Sequence, residues 1–107
     1  MRHARRLVWS PRAKRDLIEI WRYYARVASP DIADTVLREV ERAGEAIRRN
    51  PLARRVRDEL GPGLRSALVS PYTIFNRVQD DDVQVVRVLH ERRDFPAVFG
   101  RRRRRIE

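Results

Sequence analysis

His90, Arg92 and Arg93 stand together at the end of the stretch VQVVRVLHERRD, and Arg87 interrupts the valines ahead of them. An imidazole beside fixed cations is enough to cleave a phosphodiester without a metal. The cations stabilise the developing charge, and the ring moves the proton. Without any chemistry, the same cluster is a cationic surface for a protein or a polyanion. Arg65 and Arg77 lie on two further strand-like runs and extend the set.

Other templates fit poorly. Gly61 and Gly63 bracket Pro62 with no helix following, so there is no phosphate-cradling loop. Ser10 and Ser29 each precede a proline and read as helix caps, and neither Ser66 nor Ser70 has a histidine nearby in sequence. The chain has no cysteine, which excludes disulfides and thiolate metal sites, and its two histidines, His3 and His90, do not make a zinc site. Asp80, Asp81 and Asp82 read as a turn. No metal or cofactor is expected.

The 25 lysines and arginines outnumber 15 acidic residues, for a net charge of +10, and Lys14 is the only lysine. Such a surface binds polyanions weakly and without specificity, so weak nucleic-acid binding is expected from charge alone. An acidic protein partner accounts for the excess equally well. At 107 residues the chain is expected to form one domain with one small core. No apolar run approaches the roughly 20 residues that span a bilayer, and no signal-peptide core is present; a cytoplasmic protein without membrane contact is expected.

The elements that must position the cationic cluster follow from periodicity. RLVWS (6–10) reads as a short strand. Ser10-Pro11 then starts a helix whose apolar positions Leu17, Ile20, Trp21, Tyr24 and Ala28 recur at three and four. Tyr23 falls off that stripe and is a candidate for a protein contact. Ser29-Pro30 starts a second helix, with Ala33, Val36, Leu37, Val40, Ala43 and Ile47 inward, and Asn50-Pro51 ends it. So short a connection makes an antiparallel helical hairpin.

Residues 51–63 read as an irregular crossing, and three strands follow at 64–69, 72–78 and 83–90 as an antiparallel meander. Alternation sets Val86, Val88 and His90 on one face of the last strand, with Val85, Arg87 and Leu89 on the other. The expected fold is α+β: an antiparallel helical hairpin packed on one face of a small antiparallel β-sheet, the other face open to a partner. Residues 1–100 form the domain, and the arginine run within 101–107 is expected to be a solvated basic tail.

The stretches SPRAKRDLIEIWRYY (10–24), ELGPGLRS (59–66), YTIFNRV (72–78) and VVRVLHERRD (85–94) together resemble the RelE/ParE superfamily of toxins from type II toxin–antitoxin modules, and its ParE branch in particular. The resemblance implies the same fold. It also implies a toxin that inhibits DNA gyrase by protein–protein contact, without chemistry of its own, and that is held in a hetero-oligomer by a ParD-like antitoxin. The RelE branch instead cleaves ribosome-bound mRNA. Where that branch carries a catalytic arginine this chain has Thr73, and where it carries a tyrosine this chain has Phe99; only Arg93 falls on a cationic catalytic position. Some ribonuclease relatives use a histidine near His90, so His90 and Arg93 are the catalytic candidates of the alternative reading. Asn76 stands where an aromatic is common, which implies an altered open face. The candidates for target contact are Arg65, Arg77, Arg87, His90, Arg92 and Arg93; those for the antitoxin are Tyr23, Arg77 and Arg87.

Overall fold

The two Ser-Pro pairs do start the two helices. In the computed structural model, which describes residues 5–100, the Ser10 hydroxyl accepts the Ala13 N–H at 3.0 Å and the Ser29 hydroxyl accepts that of Ile32 at 3.1 Å. Each proline sits in the first turn, where its missing N–H leaves no bond unmade. The helices are α1 (Pro11–Val27) and α2 (Pro30–Arg49). α1 buries Ala13, Asp16 and Ile20; α2 buries Ala33, Val40, Gly44 and Ile47. Gly44 marks a close approach, since a Cβ there would lie 2.9 Å from the Trp9 ring.

Strands β1 (Arg6–Trp9), β2 (Arg55–Val56), β3 (Arg65–Val69), β4 (Tyr72–Gln79) and β5 (Asp82–His90) form one sheet in the order β1-β5-β4-β3-β2. The meander β3-β4-β5 is antiparallel, and β1 adds to β5 in parallel, so the sheet is mixed. Asp80 and Asp81 are the two residues between the paired ends Gln79 and Asp82. Asp80 adopts φ 53°, a left-handed conformation that aspartate tolerates, while Asp82 takes the Arg6 guanidinium at 3.1 and 3.3 Å.

Strict alternation fails in β5. Asn76 pairs with Val85 and Phe75 with Arg87, so Val86 is the extra residue of a bulge and the face phase changes across it. Val83, Val85 and Val88 join the helix-side core, whereas Val86 and Leu89 join the cluster on the other face. The bulge falls where β1 gives way to α1. There the Ser10 N–H donates to the Val85 carbonyl at 2.9 Å and its hydroxyl donates to that of Val86 at 2.8 Å.

The second face is less open than expected. Residues 51–63 supply a turn of 3-10 helix (Pro51–Ala53) and β2, and a short helix α3 (Phe95–Val98), capped by Asp94, follows β5. Phe95 and Phe99 meet the Phe75 ring edge-on, each at 4.9 Å, and Leu60 and Leu64 close the cluster. The Arg57 guanidinium lies 5.7 Å from the Phe75 ring and 5.6 Å from that of Phe95, within cation–π range. These residues carry no helical or strand period, only three aromatics that need burial. Asn76 is wholly buried, so it forms no part of an exposed face. His3 and the tail 101–107 lie outside the described residues.

Candidate functional site

β5 carries Arg87 and His90 and leads into Arg92 and Arg93, and its free edge explains their different environments. β1 pairs with β5 only as far as Val85. Beyond that point the strand's backbone groups need other partners, because an unpaired buried N–H is costly. α1 supplies them. Asp16, on the buried stripe of that helix, accepts the Val88 N–H at 2.9 Å and takes the Arg87 guanidinium in a two-point pair at 2.8 and 3.0 Å. The side chains are 12% and 8% exposed, so this is a buried ion pair that ties α1 to the sheet.

Arg65 and Arg77 are tied down differently. Arg65 donates from Nη1 to the carbonyls of Leu52 and Arg54 at 3.1 and 3.0 Å, and Arg77 donates from Nε to the Pro62 carbonyl at 3.2 Å. Both therefore fasten the 51–63 crossing onto the sheet. Tyr72 and Arg77 pair with His90 and Gln84, so Arg77 lies about 17 Å along β4 from the His90 end. Arg65 and Arg77 are thus not brought together with His90, Arg92 and Arg93. Nor is Arg87 paired with Arg77 in any shared surface.

The His90 end has its own geometry. The His90 Nδ1 accepts the Arg92 backbone N–H at 3.1 Å, which leaves the proton of the neutral ring on Nε2. Its ring stands edge-on to Tyr72 at 5.7 Å. Tyr72 in turn lies 3.5 Å, hydroxyl to hydroxyl, from Tyr24, and burial followed by that contact pushes its phenol well above the usual tyrosine range. Tyr23, 49% exposed, packs edge-on against Tyr24 at 5.1 Å. His90, Arg93, Tyr23, Glu19 and Asp16 line one shallow open cavity of about 160 Å³. Arg92 and Arg93 are exposed, and among the described residues neither has a carboxylate within ion-pair distance.

For Arg77 and Arg87 the sequence also offers a plain salt bridge to Asp16, Glu19 or Asp58, and the structure makes that bridge for Arg87 with Asp16. The signal was there: a charged residue at the buried helical spacing of Ala13 and Ile20 needs a partner. The two positions that distinguish the ribonuclease branch also have clear surroundings. Thr73 is buried in β4 between Leu68 and Leu89, and the Phe99 ring is packed on Phe75.

Residues 7–95 match the family described as the ParE toxin of the type II toxin–antitoxin system parDE. Toxin ParE1 of Mycobacterium tuberculosis is 38% identical over 90 residues, covering 83% of this chain and 92% of that protein. Toxin ParE3 of Caulobacter vibrioides is 28% identical over 87 residues, covering 81% and 87%. Among solved structures, a chain from a chromosomal ParDE toxin–antitoxin system of Pseudomonas aeruginosa superposes with a TM-score of 0.74 at 22% identity, covering 83% of this chain and 98% of that one. A chain of the toxin–antitoxin complex RelBE2 from Mycobacterium tuberculosis gives 0.56 at 28% identity, covering 82% and 99%. With the family match spanning most of its length, the chain belongs to the ParE toxins of type II toxin–antitoxin systems.

Proposed function

We propose that this ParE-family toxin inhibits DNA gyrase through protein–protein contact and that a ParD-like antitoxin neutralises it in a hetero-oligomer. The observation that carries the reading is the contrast between Thr73 and Phe99, both packed and neither able to supply a cation or a proton, and the exposed Arg92 and Arg93. Loss of one positioned electrostatic donor typically lowers a rate ~100–1000-fold, and loss of a general acid or base lowers it by ~100–10,000-fold. A gyrase inhibitor needs no proton transfer of its own. The exposed pair at the exit of β5 is the contact we assign to the target, with His90 beside it.

Binding of an antitoxin is supported by chemistry as well as kinship. The protein is strongly basic, and Leu52, Val56 and Leu68 are exposed on the β2–β3 side of the sheet, where an acidic segment could bury them while ordering itself. Tyr23 remains the exposed aromatic on the helical hairpin. Arg87, engaged by Asp16, supports the scaffold rather than either contact.

The test is expression from a tight promoter, following a DNA-damage reporter and ribosome-associated mRNA cleavage in parallel, with gyrase supercoiling assayed on the purified toxin. Damage before any mRNA cut, together with inhibited supercoiling, is the expected result. Codon-specific mRNA cuts that precede damage and vanish in His90→Ala would establish the ribonuclease reading instead, since His90 and Arg93 do share one cavity.

A further inference from the structure

The two helices of the hairpin differ in charge. α2 carries Asp31, Asp34, Glu39, Glu41 and Glu45 against four arginines. α1 carries Arg12, Lys14, Arg15, Arg22 and Arg26 against Asp16 and Glu19, and Asp16 is already spent on Arg87. At 3.6 residues per turn, Arg12, Arg15, Arg22 and Arg26 fall within a sector of about 80° and span about 21 Å of helix. All four are exposed, and among the described residues none is within ion-pair distance of a carboxylate. Glu19 is the one acidic interruption of the stripe. Through Glu19 and Tyr23 the stripe borders the cavity that Arg93 also lines at the exit of β5.

We infer that this face of α1 docks on the phosphate backbone of duplex DNA without reading its sequence. The chemistry of the sector favours phosphate over an acidic peptide. A peptide that orders on binding needs apolar area to offset the entropy it loses, and the sector itself holds none; Ile18 and Tyr23 lie on its two flanks, the Tyr23 ring beneath the Arg26 guanidinium at 5.9 Å. Phosphate binding draws its free energy from released counterions and needs no apolar contact. A straight stripe flanked by the single ring of Tyr23 suits a duplex better than a single strand, whose binders offer successive aromatic faces. α1 contains no Asn or Gln to read adenine and no Ser or Thr, so beyond the guanine edges that arginine also contacts it offers no base code. The inference concerns a different surface from the β2–β3 side and stands whether or not gyrase is the target.

The test must separate a stripe from mere net charge. The full chain, Arg15→Gln/Arg22→Gln/Arg26→Gln, and a charge-matched control on α2, Arg38→Gln/Arg42→Gln/Arg49→Gln, are titrated with a mixed-sequence DNA duplex at several salt concentrations. Each lost phosphate contact flattens the plot of log K against log salt by about 0.9. The stripe variant is expected to flatten it by about 2.7 and the control by less than about 1. Equal flattening in both would mean diffuse charge and overturn the proposal, as would no flattening in the stripe variant. Single-stranded DNA of the same sequence and polyglutamate complete the set. Tighter binding of either than of duplex, lost in the stripe variant, would also overturn it. Unchanged thermal melting of both variants keeps the comparison interpretable.

Discussion

Arg87 and Arg93 are the same side chain a few positions apart, one inside β5 and one just past its end, yet they have opposite environments. The Arg87 side chain is only 12% exposed and is held at two points by Asp16, while Arg93 is exposed with no carboxylate at ion-pair distance among the described residues. Glu19, nearly one turn beyond Asp16 on α1, lines the same cavity as Arg93 without closing a salt bridge. What decides an arginine's role on this strand is therefore the neighbouring helix. Where α1 presents a carboxylate at its buried stripe, the cation becomes structure; where it presents one at the rim, the cation stays available. The energies differ accordingly. Removing one partner of a buried pair costs about 3–5 kcal/mol, whereas an exposed pair is worth about 0–1 kcal/mol.

The largest effect should come from Asp16→Ala. It strands the Arg87 guanidinium in a buried setting and removes the acceptor of the Val88 N–H, so two groups lose their partner at once. A loss of about 3–5 kcal/mol is expected in chemical denaturation. A loss under about 1 kcal/mol would mean that solvent reaches Arg87 after all, and the contrast with Arg93 would collapse.

Between the two arginines, the His90–Tyr72 contact offers a pH test of how dry the end of β5 is. The folded phenol of Tyr72 lies above its unfolded value of roughly 10. Folding thus favours the protonated form. That contribution is whole below pH ~10 and declines as pH rises past it, because the unfolded chain then releases the proton more readily. Stability should fall steeply in this alkaline window, and Tyr72→Phe should flatten the fall. Since the Tyr24 contact is long at 3.5 Å, the same substitution should change stability at neutral pH by less than about 1 kcal/mol. An unaltered alkaline profile in Tyr72→Phe would show the pocket to be wet.

The helical hairpin and the three-strand meander were legible because Ser-Pro caps, apolar spacing and a run of aspartates each have a local physical meaning. The family's defining stretches were legible for the same reason, being contiguous. What sequence could not show was set by contacts between distant residues. The bulge at Val86 lies against Ser10, far away in the chain, and it puts Val85 and Val88 together on the helix side with Val86 on the other. β2 has only two residues, and α3 only four, too few for a period to register. Among the site candidates, Arg65, Arg77 and Arg87 carry the same charge as Arg92 and Arg93. Only their acceptors, two carbonyl groups of the crossing, one of Pro62 and one carboxylate of α1, separate fastening from display.

The smallest effect on stability, and the sharpest on function, is expected at Arg92 and Arg93. Truncation of exposed side chains without partners usually changes stability by no more than about 0.5 kcal/mol, so Arg92→Ala/Arg93→Ala should melt with the parent. Its toxicity should nevertheless be lost, because a surface contact depends on the cations themselves and not on the fold they sit on. Arg87→Ala should behave the other way. It leaves Asp16 buried without its partner, so any loss of toxicity should track the loss of folded protein and recover at lower temperature. Measuring melting and growth inhibition together for the two variants separates the roles. If Arg92→Ala/Arg93→Ala stays fully toxic while Arg87→Ala, still folded, is inert, then the buried arginine reaches the target through its effect on α1 and the assignment of the exposed pair is wrong.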